Sequence, residues 1–514
     1  MASEKHEKEK FIEKLEQIMG RIEKSNSGST ESETTEFFRQ SGSEEKNEKK
    51  GKNSSLTTIL SIWNCIMGSG LLTMPWAFEK AGFAQTMVIM VLCGLMCYYT
   101  AYLCIKLADY QRKKGEPLPE FQTVCKIYLG PWGEYIALFA ADIIVIGALT
   151  VYYVLMAKFL YGAGMSIYEL STMPEGSEIA TYVDPPKCIA FNEDRLGLPF
   201  SPDAQEAGEE ESFSNAWQKN ATIPLYILVV FFLTNIKNVT FFAKFSAFGT
   251  FTVFLIFFVT IYKGAQWGIN ENVDFVNATS MHYVSQFKAT GTAALPGVLS
   301  MAYFVHSAVC TLLKDNKNQE NNARDLGVAY ILVFITYTAL GLIFYLSYPG
   351  WKGCIGDMFI ENFDKREWIV PVMDILMFIR ILTVYPLLTY FIRCQNFIVF
   401  SGTEWPGYPK VAMVNFFIVA LGYFCATFYD KIGNIIRYSG SFCAMIYMFF
   451  LPCVVYMVHQ KQTLGKVPIS SYIIHGVLIL IGIANFVNQF VVEDPYDAFV
   501  SGNNATIGIE ENAA

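Results

Sequence analysis

The chain has 514 residues, is 53% hydrophobic and 15% aromatic, and is only 16% charged, where soluble proteins average about a quarter charged residues. Its charges crowd into the first 55 residues and the loops, and the net charge of −8 owes much to one acidic loop. That balance argues against a nucleic-acid partner and describes an all-α polytopic membrane protein.

In chain order, residues 1–55 form a polar arm. No cleavable signal peptide is expected, because "MASEKHEKEK" leads into polar sequence. The piece "EKFIEKLEQIMGRIEK" puts Phe11, Leu15, Ile18 and Met19 on one helical face. It reads either as a transient helix in a disordered arm or as a docking helix.

A spanning helix needs roughly 20 mostly apolar residues. Eleven stretches are candidates: 57–78, 84–107, 134–161, 222–236, 245–265, 289–313, 326–347, 369–393, 409–429, 434–458 and 469–490. The fourth is short unless it takes residues from its flanks. The transmembrane domain is thus 56–490, followed by a tail, 491–514. Lys and Arg concentrate in 110–116, 237–244, 314–325 and 459–466, whereas 162–221 is rich in Asp and Glu. The positive-inside rule then puts the N-terminus in the cytosol and the loop 162–221 and C-terminal tail on the opposite side.

The first span interrupts itself at "NCIMGSG" (64–70). Irregular backbone at membrane depth survives only where protein packs it or water reaches it. In secondary transporters such half-helices expose N–H groups to a substrate carboxylate and carbonyls to a cation. Gly68 and Gly70 permit the required backbone, and Pro75 removes a donor from the second half. The alternative is a small-residue packing face. The sixth span carries Pro296–Gly297 and a mid-span His306, so it too is a candidate for interruption. Asp142 and Arg380 are further intramembrane charges, expected to snorkel or pair near span ends. In the eighth span, Thr383 and Tyr385 precede Pro386, which frees a carbonyl. A neutral oxygen cage for a hard cation and a proline kink with a back-bonded threonine are equally open there.

Of 12 cysteines, only Cys188 and Cys354 fall in loops opposite the cytosol. An oxidising compartment would pair them, the alternative being two free thiols. Sequons stand at Asn53, Asn220, Asn238, Asn277 and Asn504. The topology removes Asn53 and Asn238 and favours Asn277 and Asn504 as glycosylation sites. No HExxH, GxSxG or P-loop occurs, the five histidines are scattered, and no repeated filter segment suggests a channel. No enzyme activity is expected.

"WNCIMGSGLLTMPWAFEKAGF" resembles the first-helix signature of the amino acid/auxin permease family, and within it the lysosomal branch of the sodium-coupled neutral amino acid transporters. "TLLKDNKNQENNARDLGVAY" (311–330), "LTVYPLLTYFIRCQ" (382–395) and "IGNIIRYSG" (432–440) carry the closer likeness. The resemblance implies eleven helices in a LeuT-like five-plus-five inverted repeat with helices 1 and 6 broken. It implies an amino acid held by Asn64, Cys65, Ile66, Met67, Gly68 and Ser69, and sodium held by Asn64, Met67 and Thr383. It implies a luminal Cys188–Cys354 disulfide, no organic cofactor, and a lysosomal or late endosomal membrane. Arginine, leucine and other neutral or bulky amino acids would be substrates, and a transceptor or a proton-coupled carrier are the alternative functions. Besides membrane lipid, the lysosomal branch engages a small-GTPase and scaffold nutrient-signalling complex through a longer arm. Residues 1–55 lack that arm's motif, so this partnership is doubtful here.

The topology is testable directly. Non-reducing peptide mapping of native membranes should recover Cys188 and Cys354 in one linked peptide, with glycan at Asn277 or Asn504 and none at Asn53 or Asn238. A glycan at Asn53 would mean the orientation is inverted.

Overall fold

The long apolar runs wind into helices because a chain in hydrocarbon must satisfy its backbone N–H and C=O groups internally. The computed structural model describes residues 53–68, 70–113, 118–172, 217–218, 221–237, 248–269, 273–276, 282–288, 294–314, 316–350, 352–363, 367–403, 405–428 and 432–491. Residues 1–52 of the arm, Ser69, Cys188 and the sequons at Asn220, Asn238, Asn277 and Asn504 lie outside the described residues, as does the side chain of Cys354.

The first half of the bundle holds α1 (Ser55–Ile66), α2 (Gly70–Ala81), α3 (Phe83–Arg112), α4 (Phe121–Leu129), α5 (Pro131–Thr172), α6 (Thr222–Ile227), α7 (Val230–Thr234) and α8 (Phe248–Trp267). The second holds α9 (Ala294–Ala302), α10 (Val309–Lys314), α11 (Asn322–Ser347), α12 (Ile369–Ser401), α13 (Tyr408–Phe428), α14 (Ile432–Cys443), α15 (Leu451–Leu464) and α16 (Ile469–Val491). A π-helical turn, Ala444–Phe450, joins α14 to α15 in one continuous rod. Among the described residues, eight helical runs are long and apolar enough to cross a membrane. The α1–α2 pair, bent by 59°, makes a ninth if it is one span.

The two remaining expected spans hold shorter helices. In α6–α7 the backbone bonds tighten to i→i+3, as in Leu228 N–H to Leu225 O (3.1 Å) and Asn235 N–H to Phe232 O (3.3 Å). Tighter winding lifts the rise to about 2.0 Å per residue, so a short segment reaches further. Its last carbonyls are met by Arg393, which donates to Thr234 O at 2.6 Å and Ile236 O at 3.3 Å. In the sixth expected span the interruption falls at 303–308, past Pro296–Gly297. Pro296 sits in the first turn of α9, where the missing N–H costs nothing.

Gly297 instead serves packing. A Cβ at Gly297 would meet Arg437 O at 2.8 Å, and one at Gly440 would meet Gly297 O at 2.4 Å. The glycine that ends "IGNIIRYSG" therefore lets α14 cross α9 backbone to backbone. Arg437 of the same motif ties α14 to α16 through Gln489 Oε1 (2.7 Å) and Gln489 O (2.8 Å).

Two polar clusters close the ends of this bundle. Lys317 N–H donates to Asn53 O (2.8 Å), and Arg324 reaches Ser55 Oγ (3.3 Å), so the loop between α10 and α11 grips the head of α1. That loop is braced from within by Asn316, which donates to Asn322 (2.8 Å) and Asp325 (3.0 Å). Elsewhere, the buried Lys158 of α5 pairs with Asp357 (3.6 Å) and Glu361 (3.3 Å), and Asp357 also accepts from Gly433 N–H at 3.3 Å. Beyond α11, Lys352 donates to Leu346 O (3.0 Å) and Tyr348 O (2.7 Å). Burial pushes its ammonium down to about 7.

Because the atom in the way at Gly440 is a carbonyl of another helix, it cannot rotate aside. Gly440→Ala should lower thermal stability in detergent by roughly 1–3 kcal/mol. An unchanged unfolding temperature would show that the two helices part freely.

Candidate functional site

The interruption between α1 and α2 is a defined turn. Met67 N–H makes the last helical bond, to Trp63 O, at 2.9 Å. Met67 then takes φ −68°, ψ 62°, and Gly68 N–H donates to Ile66 O at 2.7 Å. That is an inverse γ-turn. Leu71 N–H, the helical partner Met67 O would have had, goes instead to Gly68 O at 3.4 Å.

Side chains replace what the turn removes. Tyr337 Oη on α11 donates to Ile66 O at 2.9 Å and to Ala302 O, the last residue of α9, at 3.1 Å. One phenol thus serves carbonyls at both interruptions. Two turns earlier on the same face, Tyr330 Oη donates to Tyr303 O at 3.0 Å. The two interrupted helices also touch: a Cβ at Gly70 would sit 2.7 Å from Ala302 Cβ. Gly68 faces Tyr152 of α5, whose hydroxyl lies 3.1 Å from where its Cβ would be.

Arg380 of α12 neither snorkels nor pairs with a carboxylate among the described residues. It is 9% exposed and donates to Met67 O. Thr383, one turn along, donates its hydroxyl to Arg380 O at 2.8 Å. The back-bonded threonine is therefore real, and the hydroxyl keeps lone pairs for another partner. Asn64 Oδ1 is buried with no hydrogen-bond donor. Cys65, next to Asn64, is solvent-accessible.

Of the expected substrate residues, Asn64, Cys65, Ile66, Met67 and Gly68 lie together at the end of α1; Ser69 is outside the described residues. Among the described residues no hydrogen bond joins Thr383 to Asn64 or Met67. For a hard cation the fit is mixed. Asn64 Oδ1 is an unfilled oxygen, whereas Met67 O is held by a guanidinium. His306 lies in the second interruption and meets Thr100 Oγ1 through Nε2 at 2.9 Å. Asp142, expected near a span end, is bracketed by Asn396 Nδ2 at 2.9 Å to each oxygen. Tyr337, Tyr330, Tyr152 and Ala302 were not foreseen, although Tyr330 and Tyr337 at i, i+7 were a visible signal of one helix face.

Interrupted helices packed against intact ones are the arrangement by which membrane carriers expose backbone groups to a ligand. Comparisons agree. The family described as "Transmembrane amino acid transporter protein" matches residues 51–180 and 209–488, and the chain belongs to it. This is a family of transport proteins, not enzymes. The "Sodium-coupled neutral amino acid transporter 9 homolog" of Caenorhabditis elegans is 35% identical over 467 residues, covering 87% of this chain and 75% of that one. "Neutral amino acid transporter 9" of Danio rerio is 36% identical, covering 85% and 81%, and that of Rattus norvegicus is 33% identical, covering 85% and 79%. Among solved structures, MhsT in complex with L-phenylalanine matches at a TM-score of 0.50 and 13% identity, over 86% of this chain and 99% of that one. At that identity the likeness concerns fold alone, a LeuT-like helical arrangement.

Tyr337→Phe removes the hydroxyl that serves Ile66 O and Ala302 O, leaving Ile66 O with the Gly68 N–H alone. It should cost about 1–3 kcal/mol of stability and weaken amino acid binding. Thermal unfolding and equilibrium binding on the same monodisperse sample check both; unchanged values would mean that water replaces the phenol.

Proposed function

We propose that the chain is a secondary active amino acid transporter of the lysosomal or late endosomal membrane, working by alternating access and linked to sodium. In this reading it has eleven spans in a five-plus-five inverted repeat with the first and sixth broken. The arm is cytosolic and the C-terminal tail luminal. The amino acid lies against Asn64, Cys65, Ile66, Met67, Gly68 and Ser69. Neutral or bulky amino acids such as leucine are favoured, with arginine as a further substrate or a luminal signal. Asn64, Met67 and Thr383 supply oxygens to the ion.

The observation that carries this reading is the meeting of two interrupted helices at Gly70 and Ala302, with a buried amide oxygen that lacks a donor, Asn64 Oδ1, in the last turn of α1. An α-ammonium or a sodium ion is what such an oxygen accepts. The names of the relatives support the substrate class and, for the Caenorhabditis elegans one, sodium.

The test is uptake of a panel of labelled amino acids into proteoliposomes, with and without sodium and a pH gradient. Thr383→Ala and Asn64→Ala should each raise the half-saturating sodium, and Ser69→Trp should abolish substrate binding in folded protein. Binding without flux would favour a transceptor. Flux that follows the pH gradient and ignores sodium would favour a proton-coupled carrier.

A further inference from the structure

Arg380 brings a full positive charge to the interruption of the first helix. A guanidinium stays protonated even when buried, and a buried charge without a counter-ion is expensive. Among the described residues no carboxylate balances it. The groups nearest in charge terms are the phenols of Tyr152 and Tyr337, and its hydrogen-bond partner is Met67 O. The fold makes room for it: a Cβ at Gly249 of α8 would lie 3.0 Å from Arg380 Nε. The same residue's backbone carbonyl lies 2.8 Å from Thr383 Oγ1. Arg380 therefore contributes one oxygen to the neighbourhood expected to hold a cation, while its own side chain already holds another oxygen of that set.

We propose that the Arg380 guanidinium and a sodium ion are alternative occupants of the Met67 carbonyl, so that this arginine sets how much sodium the protein needs. A carbonyl has lone pairs enough for two partners, but two cations on one oxygen repel strongly where water does not screen them. Sodium binds when the guanidinium swings away, and the guanidinium returns when sodium leaves. The polar neighbourhood is thus never without a cation, a tethered charge standing in for the mobile one. This rests on reading the interruption as the substrate and ion site.

The experiment measures radioactive sodium binding to the purified full chain, without transport. Arg380→Gln and Arg380→Met should lower the half-saturating sodium at least about tenfold, equivalent to about 1.4 kcal/mol. Arg380→Lys keeps the charge and should stay near wild type. Sodium binding no tighter in Arg380→Gln and Arg380→Met than in wild type would overturn the proposal, as would Arg380→Lys matching the neutral variants. Should neither neutral variant elute as a single species, Gly249→Ala takes their place. It crowds Nε, loosens the grip on Met67 O and should lower the sodium requirement; an unchanged requirement counts against the proposal. Labelled amino acid uptake by the wild type separates the two readings. Uptake with no sodium binding in any form defeats the exchange but leaves the carrier. Tighter sodium binding in the neutral variants without uptake by any form does the reverse.

Discussion

A helix that stops inside a bilayer must find new partners for the carbonyls it releases, and the rest of this architecture follows from that need. Each unsatisfied group in hydrocarbon costs several kcal/mol. Gly68 N–H, Tyr337 and Arg380 meet Ile66 O and Met67 O. Each comes from a different place: the turn itself, α11 and α12. The interruption is thus held by the intact helices around it, and it cannot re-form a helix without stranding their donors. A phenol that serves both interrupted spans also links them, because Ile66 O and Ala302 O share one hydroxyl donor.

Charge makes the site harder to build than a neutral break. Two unit charges about 4 Å apart interact by roughly 4 kcal/mol at an effective dielectric of 20. A cation beside Arg380 would feel a repulsion of that order unless the guanidinium moved. Glycine at 249 leaves room beside the guanidinium without adding a charge. At the ends of the bundle the opposite strategy holds. Lys158 sits between Asp357 and Glu361, and the α10–α11 loop closes on Asn53 and Ser55 through a backbone N–H and the Arg324 guanidinium.

Much of this was legible in the sequence. Apolar length located eight helical runs and the bent pair, because hydrocarbon imposes its thickness on the chain. "NCIMGSG" marked the first interruption because glycines at 68 and 70 leave little helix to propagate. For the second, Pro296–Gly297 and His306 were both signals; proline is harmless in a first turn and Gly297 serves a helix crossing, so the interruption falls at 303–308, around His306. The fourth span looked merely short, since sequence patterns do not distinguish i→i+4 from i→i+3 winding. Arg380 was visible as a mid-span charge, but its partner is a backbone atom on another helix, and no spacing rule reaches across the fold.

The family-like stretches also divide by physical task. "IGNIIRYSG" and the arginine of "LTVYPLLTYFIRCQ" act as fixtures: Gly440 admits a backbone, Arg437 binds α16, and Arg393 finishes α7. The loop of "TLLKDNKNQENNARDLGVAY" works differently. It spends its side chains on itself and offers α1 chiefly a backbone N–H and one arginine contact. A helix head held that lightly can leave its loop without exposing apolar surface, whereas α9 cannot leave α14 without opening a close backbone contact. Motion at this site should therefore belong to α1 while α9 stays seated, and the bond from Tyr337 to Ile66 O should break before its bond to Ala302 O.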